Sequence, residues 1–192
     1  MKSPKLLFII YLICIANLIS SQEFAIDKGA LFINGMGSFS SQGGDLFEDE
    51  HNSRATIISL SPALNYFVRK GFFIGGSMEF SSQSQSDISM SGIGIGPHIG
   101  YAIGNPASKT FPYFNGGLRY YSMSVNYGVF GDANAAGIDI FFGFGVIVPV
   151  VPYVGVVFEA GYHSMNLNDK DADTSYSGNI FGVAVGIVGL IY

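Results

Sequence analysis

Alternation of apolar with small or polar side chains runs from residue 54 to residue 82 and constrains this chain more than any other feature. From Arg54 to Val68 one parity carries Thr56, Ile58, Leu60, Pro62, Leu64, Tyr66 and Val68; the other carries Ala55, Ile57, Ser59, Ser61, Ala63, Asn65 and Phe67. Phe72, Ile74, Gly76, Met78 and Phe80 then oppose Phe73, Gly75, Ser77, Glu79 and Ser81. A period of two puts successive side chains on opposite faces of a strand. The two segments therefore read as a hairpin bent at Arg69, Lys70 and Gly71, with one wholly apolar face.

The same pattern extends along the chain and predicts about eight strands, at 29–40, 54–68, 71–82, 88–103, 111–125, 138–149, 153–167 and 179–192. Each is long enough to cross a bilayer at a tilt, which takes about 9–11 residues. Short connections at 69–70, 104–110 and 150–152 alternate with longer polar ones at 41–53, 126–137 and 168–178; the segment 83–87 belongs to the long series by order but is short. The uncharged run from Ile140 to Phe158 also fits a membrane helix by hydropathy. Pro149, Pro152, three glycines and many Val, Ile and Phe residues favour two strands and a turn there instead.

Composition identifies the solvent. Charged residues make up 12% of the chain, about half the share usual in soluble domains, and hydrophobic residues 48%. Mean hydropathy is +0.38. Only helices and closed barrels satisfy every backbone polar group in lipid, so a set of spanning strands must close. The expected fold is all-β, an antiparallel up-and-down transmembrane β-barrel. A soluble secreted barrel with an apolar ligand fits poorly, because its outward parity would be apolar.

Residues 1–21 read as a cleaved signal peptide: basic "MKSPK", apolar "LLFIIYLICIANLI" and small "SSQ". A retained anchor helix is the alternative. The barrel domain is then 22–192. Cys14, the one cysteine, falls in the leader, and Ile13 before it does not suit lipidation. The mature chain thus has no disulfide, catalytic thiol or thiolate metal site.

The net charge of −5 and the absence of a basic stripe leave no footprint for nucleic acid. Acidic residues gather in two connections, Asp45, Glu48, Asp49 and Glu50 in one and Asp169, Asp171 and Asp173 in the other. Inside strands, Glu79, Arg119 and Glu159 all take the parity opposite the lipid-facing residues. They are expected to form an ion-pair cluster in the lumen, since an Arg fork pairs well with carboxylates and a lone buried charge is costly. That cluster is either structural filling or a gate on a narrow ion path.

His98 and His163 also point inward; they read as hydrogen-bonded filler, with no metal and no cofactor assigned. His163 and Ser164 are adjacent, hence on opposite faces, and cannot by themselves form a nucleophile and base. No enzyme activity is expected. Gly92, Gly94, Gly96 and Gly100 fit the crowded inside of a narrow barrel.

The hairpin "SPALNYFVRKGFFIGGSMEFSS", the segment "VPYVGVVFEAGYHSMN" and the final strand "GVAVGIVGLIY" resemble the small outer-membrane β-barrel domains of Gram-negative bacteria, of the OmpA and OmpX type, over roughly 29–192. The resemblance implies a porin-like fold in the cell outer membrane, with short turns in the periplasm and the acidic loops outside. It also implies that the terminal aromatic Tyr192 is a signal for the barrel-insertion machinery. The last strand departs from the pattern by being apolar on both parities, which leaves its lipid-facing side open. The role expected is structural or surface-interacting, with a ligand or protein met at the loops; a narrow ion-conducting or transport pore is the alternative, and a lipid-modifying enzyme a more distant one.

Overall fold

The computed structural model describes residues 26–42, 55–85, 88–105, 108–126, 131–169 and 174–192. Eight strands follow in chain order: β1 (Leu31–Gln42), β2 (Ala55–Arg69), β3 (Phe72–Gln85), β4 (Ile88–Ala102), β5 (Phe111–Asn126), β6 (Asp132–Val151), β7 (Val154–Asp169) and β8 (Ser175–Ile191). Each pairs antiparallel with the next, and β8 returns to β1 to close a barrel. The predicted signal peptide and Asp45, Glu48, Asp49, Glu50, Asp171 and Asp173 lie outside the described residues.

Most strand boundaries differ from the sequence reading by one to three residues, and two differ by more. Residues 132–137, expected as loop, begin β6, and residues 175–178 begin β8. Polar side chains misled the reading because these strand ends form a wet rim. Ser124 donates to Asn134 (2.6 Å), Asn126 to Asp132 (2.6 Å) and Ser175 to Asn168 (2.7 Å). Asp169, expected in a loop, is the last residue of β7. The uncharged run from 140 to 158 is two strands turned at Pro152 and Tyr153, with a register shift between Pro149 and Val151.

The turn end of the barrel is plugged. Phe32, Phe67 and Phe73 meet with ring centroids 5.6–6.1 Å apart, and Phe111, Ile147, Val157 and Val188 are fully buried beside them. Residues 26–30 fold across the mouth. The Gly29 amide donates to the Phe67 carbonyl (2.9 Å), and the Gly71 amide to that of Ile26 (2.8 Å), burying Ile26 and Ala30. Gly71 must be glycine twice over: its φ is 73°, and a Cβ would fall 2.4 Å from the Ala102 carbonyl oxygen.

The outer wall is apolar on every strand, with Ile33, Leu64, Ile95, Phe114, Phe142 and Phe158 about half exposed. A continuous belt of this kind greatly exceeds the patches soluble proteins expose, so the barrel spans a membrane. β8 resolves the parity left open by sequence: Phe181, Val183, Val185 and Ile187 face out, while Val188 and Leu190 fill the plug.

Phe73→Ala should lower unfolding free energy by about 3–5 kcal/mol, and Ile95→Lys by about 2–4 kcal/mol if it lies near mid-bilayer. Urea titration of the barrel folded into vesicles measures both. An Ile95→Lys variant as stable as the parent would mean this face does not meet hydrocarbon.

Candidate functional site

Above the plug the lumen widens into a cup of about 350 Å³ open toward the loop end. Serines 38, 59, 61 and 81 and methionines 36, 90, 123 and 165 are part of its wall, and its floor holds charged side chains. Below the floor only about 20 Å³ of free space remains among Asn34, Asn65, Ser77 and His98 before the aromatic plug. The lumen of the described barrel is a blind cup.

Arg119 organises the floor. It is 5% exposed, and its Nη1 pairs with Glu79 Oε2 and lies 3.5 Å from Asp139 Oδ2. Its Nε donates to Ser77 Oγ at 3.1 Å, and its guanidinium stands 3.9 Å over the Phe141 ring. His163 Nδ1 bonds Asp139 Oδ2 at 3.0 Å and lies 4.0 Å from Glu79, with its ring stacked on Phe141 at 6.0 Å.

Register explains the assembly. Arg119 faces Asp139 across the β5/β6 ladder, and Phe141 faces His163 across β6/β7. Glu79, however, is on β3, so Arg119 must reach it across the inner face of β4. Glycines there leave the passage clear. A Cβ on Gly94 would stand 2.7 Å from the Tyr121 ring and 3.4 Å from Arg119 Cδ, and one on Gly92 2.3 Å from the Tyr121 hydroxyl. Tyr121 uses the same passage to bond Ser81 on β3 at 2.6 Å.

Of the three lumen residues expected to cluster, Glu79 and Arg119 pair and Glu159 does not join them. Glu159 accepts from the Tyr113 hydroxyl (2.7 Å) and Asn115 Nδ2 (3.0 Å) instead. It stands nearer the start of its strand than Arg119 does, and its ladder partners are Gly145 and Ala184. The second carboxylate on Arg119 is Asp139, wholly buried and absent from the sequence reading although it sits between Ile138 and Ile140 on the inward parity. His163 takes an ion-pairing position, and His98 packs edge-on between Phe73 and Phe141 at 6.1 Å from each.

Glu79, Asp139 and His163 offer ligand atoms within 4.8 Å of one another. The Arg119 guanidinium already bridges both carboxylates and supplies the positive charge a metal ion would bring, so the cluster is assigned as an ion-pair network. Among the described residues no serine hydroxyl bonds His163, and the His–Asp pair lacks a nucleophile. At the opposite end Tyr192 packs against Tyr153, ring centroids 5.9 Å apart.

Fold and lumen together define a small eight-stranded membrane barrel with a filled turn end. No family model and no curated protein sequence matches the chain. Solved structures show the same fold. Neisserial surface protein A is 16% identical with a TM-score of 0.58, covering 84% of this chain and 99% of that one. The outer membrane protein OprG of Pseudomonas aeruginosa is 10% identical with a TM-score of 0.59, covering 88% and 99%. The N-terminal β-barrel domain of OprF from the same organism is 11% identical with a TM-score of 0.54, covering 85% and 98%.

Arg119→Met leaves Asp139 buried without its cation and should cost about 3–5 kcal/mol, with part regained in the Arg119→Met/Asp139→Asn double variant. Glu159→Gln keeps an acceptor for Tyr113 and Asn115 and should cost less. Unfolding free energies of the parent, these three variants and the Asp139→Asn single variant in the same vesicles decide; an additive double variant would mean Arg119 and Asp139 do not depend on each other.

Proposed function

We propose that the protein is an integral outer-membrane barrel of a Gram-negative envelope, with a structural and surface-interaction role carried by its loop rim. The single observation that supports this best is the blind lumen. An eight-stranded barrel has an interior just wide enough for side chains to fill. Here the aromatic plug, residues 26–30 and the Arg119 network occupy it from the turn end to mid-height. A through-path for ions would need all three to move, which counts against the narrow pore gated by Glu79 and Arg119.

The similar folds of outer-membrane proteins support this cellular placement, with short turns in the periplasm. Tyr192, at the end of an apolar strand, suits recognition by the barrel-insertion machinery. The acidic residues Asp45, Glu48, Asp49, Glu50, Asp171 and Asp173 fall in connections at the opposite end and would meet cations, envelope sugars or a protein at the cell surface. No catalytic role is assigned, since the His163–Asp139 pair of the described residues serves Arg119.

Planar-bilayer recording tests the lumen: the parent should add no resolved conductance steps, whereas steady steps that change in Arg119→Ala would favour the pore. Neutralising Asp45, Glu48, Asp49 and Glu50 to Asn or Gln should reduce protein-dependent adhesion of expressing cells at least twofold, leaving heat-modifiable gel migration of the barrel unchanged. Unaltered adhesion would remove the acidic loop from the proposed role.

A further inference from the structure

The seam between the first and last strands closes only in its lower half. β1 and β8 pair from Leu31↔Ile191 to Gly37↔Val185 and no further, although β1 continues to Gln42 and β8 starts at Ser175. Above that point β1 remains on β2 and β8 on β7, each with its other edge free of a ladder to any described residue.

Three observations mark the gap as an opening through the wall. Phe181, Val183 and Phe39, which flank it, are 75%, 70% and 70% exposed, above the other large apolar side chains of the described barrel. In the closed half a Cβ on Gly186 would strike the Gly35 carbonyl oxygen at 2.2 Å, whereas one on Gly182, two pleat repeats higher on the same parity, meets nothing within 4 Å. Finally, the lumen cup and a groove on the lipid side between Phe39, Phe144, Phe158 and Val185 share Ser38, Glu159, Val183 and Ala184 as walls.

An unpaired backbone edge at membrane depth is tolerated only beside protein or a cavity that offers it partners, and the cup brings Ser38, Ser59, Ser61 and Ser81 into an otherwise mostly apolar wall. We propose that the gap is a lateral window joining the cup to the adjacent leaflet, and that the site binds a single-chain amphiphile, head in the cup and chain in the outer groove. Serine hydroxyls and free strand edges give the head hydrogen bonds, and four thioethers adapt to its shape. Glu79 and Glu159 line the cup, and the one guanidinium beside them, Arg119, is already engaged with Glu79 and Asp139. The head is therefore uncharged or amine-bearing, because a carboxylate or phosphate would meet like charge. The cup's size is within the range of small-molecule sites. The inference rests on the barrel spanning a membrane and is independent of the surface role.

The chain has no Trp, so Gly182→Trp is a clean reporter at the window and Met123→Trp a control on the closed wall. In phosphatidylcholine vesicles with brominated acyl chains, the window Trp should be quenched at least twofold more than the control; equal quenching overturns the window. Ser38→Cys/Ala184→Cys occupies the next rung of the β1/β8 register and its disulfide zips the gap, with heat-modifiable migration checking that the barrel is folded. By equilibrium dialysis of nanodiscs against empty discs, decylamine and decanol should bind saturably, decanoate at least tenfold more weakly. Oxidation of the double variant should weaken binding at least tenfold, reversibly with reductant. No saturable excess, decanoate binding as tightly as the amine, or indifference to the disulfide overturns the site. A disulfide-linked dimer of the Ser38→Cys single variant would assign the free edges to a second copy and overturn it too. If the double variant does not oxidise, the quenching comparison and the decanoate ratio decide.

Discussion

Hydrocarbon offers no partner to a peptide N–H or C=O, and everything else in this protein depends on that restriction. It turns eight amphipathic strands into a ring, because a strand left unpaired on either side carries a row of unmet donors and acceptors. It also fixes the sign of the pattern, apolar outward and small or polar inward, which is the inverse of a soluble core. Among the described residues the β1/β8 seam relaxes beside the lumen cup, where serine side chains and solvent can take over from the missing ladder.

Closure with so few strands leaves little interior, and the chain uses that scarcity. Gly92, Gly94 and Gly96 on β4 remove side chains along part of the inner face. Two long residues of β5 then lie across the vacated strip and reach β3, skipping a strand. Arg119 is thereby tied to β3, β5 and β6 at once, and through Asp139 to His163 on β7. A buried ion network of this kind is modest evidence for stability when compared with an apolar filling. Its geometric content is larger, since it fixes the relative rotation of four strands.

The strand count, the hairpins and the lipid-facing parity were legible in the sequence because burial on one side imposes a period of two. Strand ends were not: Asp132, Asn134 and Ser175 sit at the loop-end rim, where polar side chains and small Ala and Gly residues mimic a loop. In the lumen, Glu79, Arg119 and Glu159 share the inward parity. Parity says nothing about height, however, and height separates Glu159 from Arg119 and brings Asp139 in. Asp139 itself was readable as a lone charge between two isoleucines. The parity of β8 was hidden because its inward residues fill an apolar plug while its outward ones meet lipid, so both solvents look alike.

The shortened β1/β8 seam has a consequence for assembly. It joins residues from opposite ends of the chain, so it is the contact of greatest sequence separation and carries the largest loop-closure entropy. Every other ladder can zip locally from its own turn, while this one must wait until seven strands are in order. Residues 26–30, bonded to Phe67 and Gly71, hold β1 beside β2 meanwhile, so the first strand is already in register when the last one arrives. The slowest step is thus confined to a few rungs at the turn end, next to the plug that makes it worth completing.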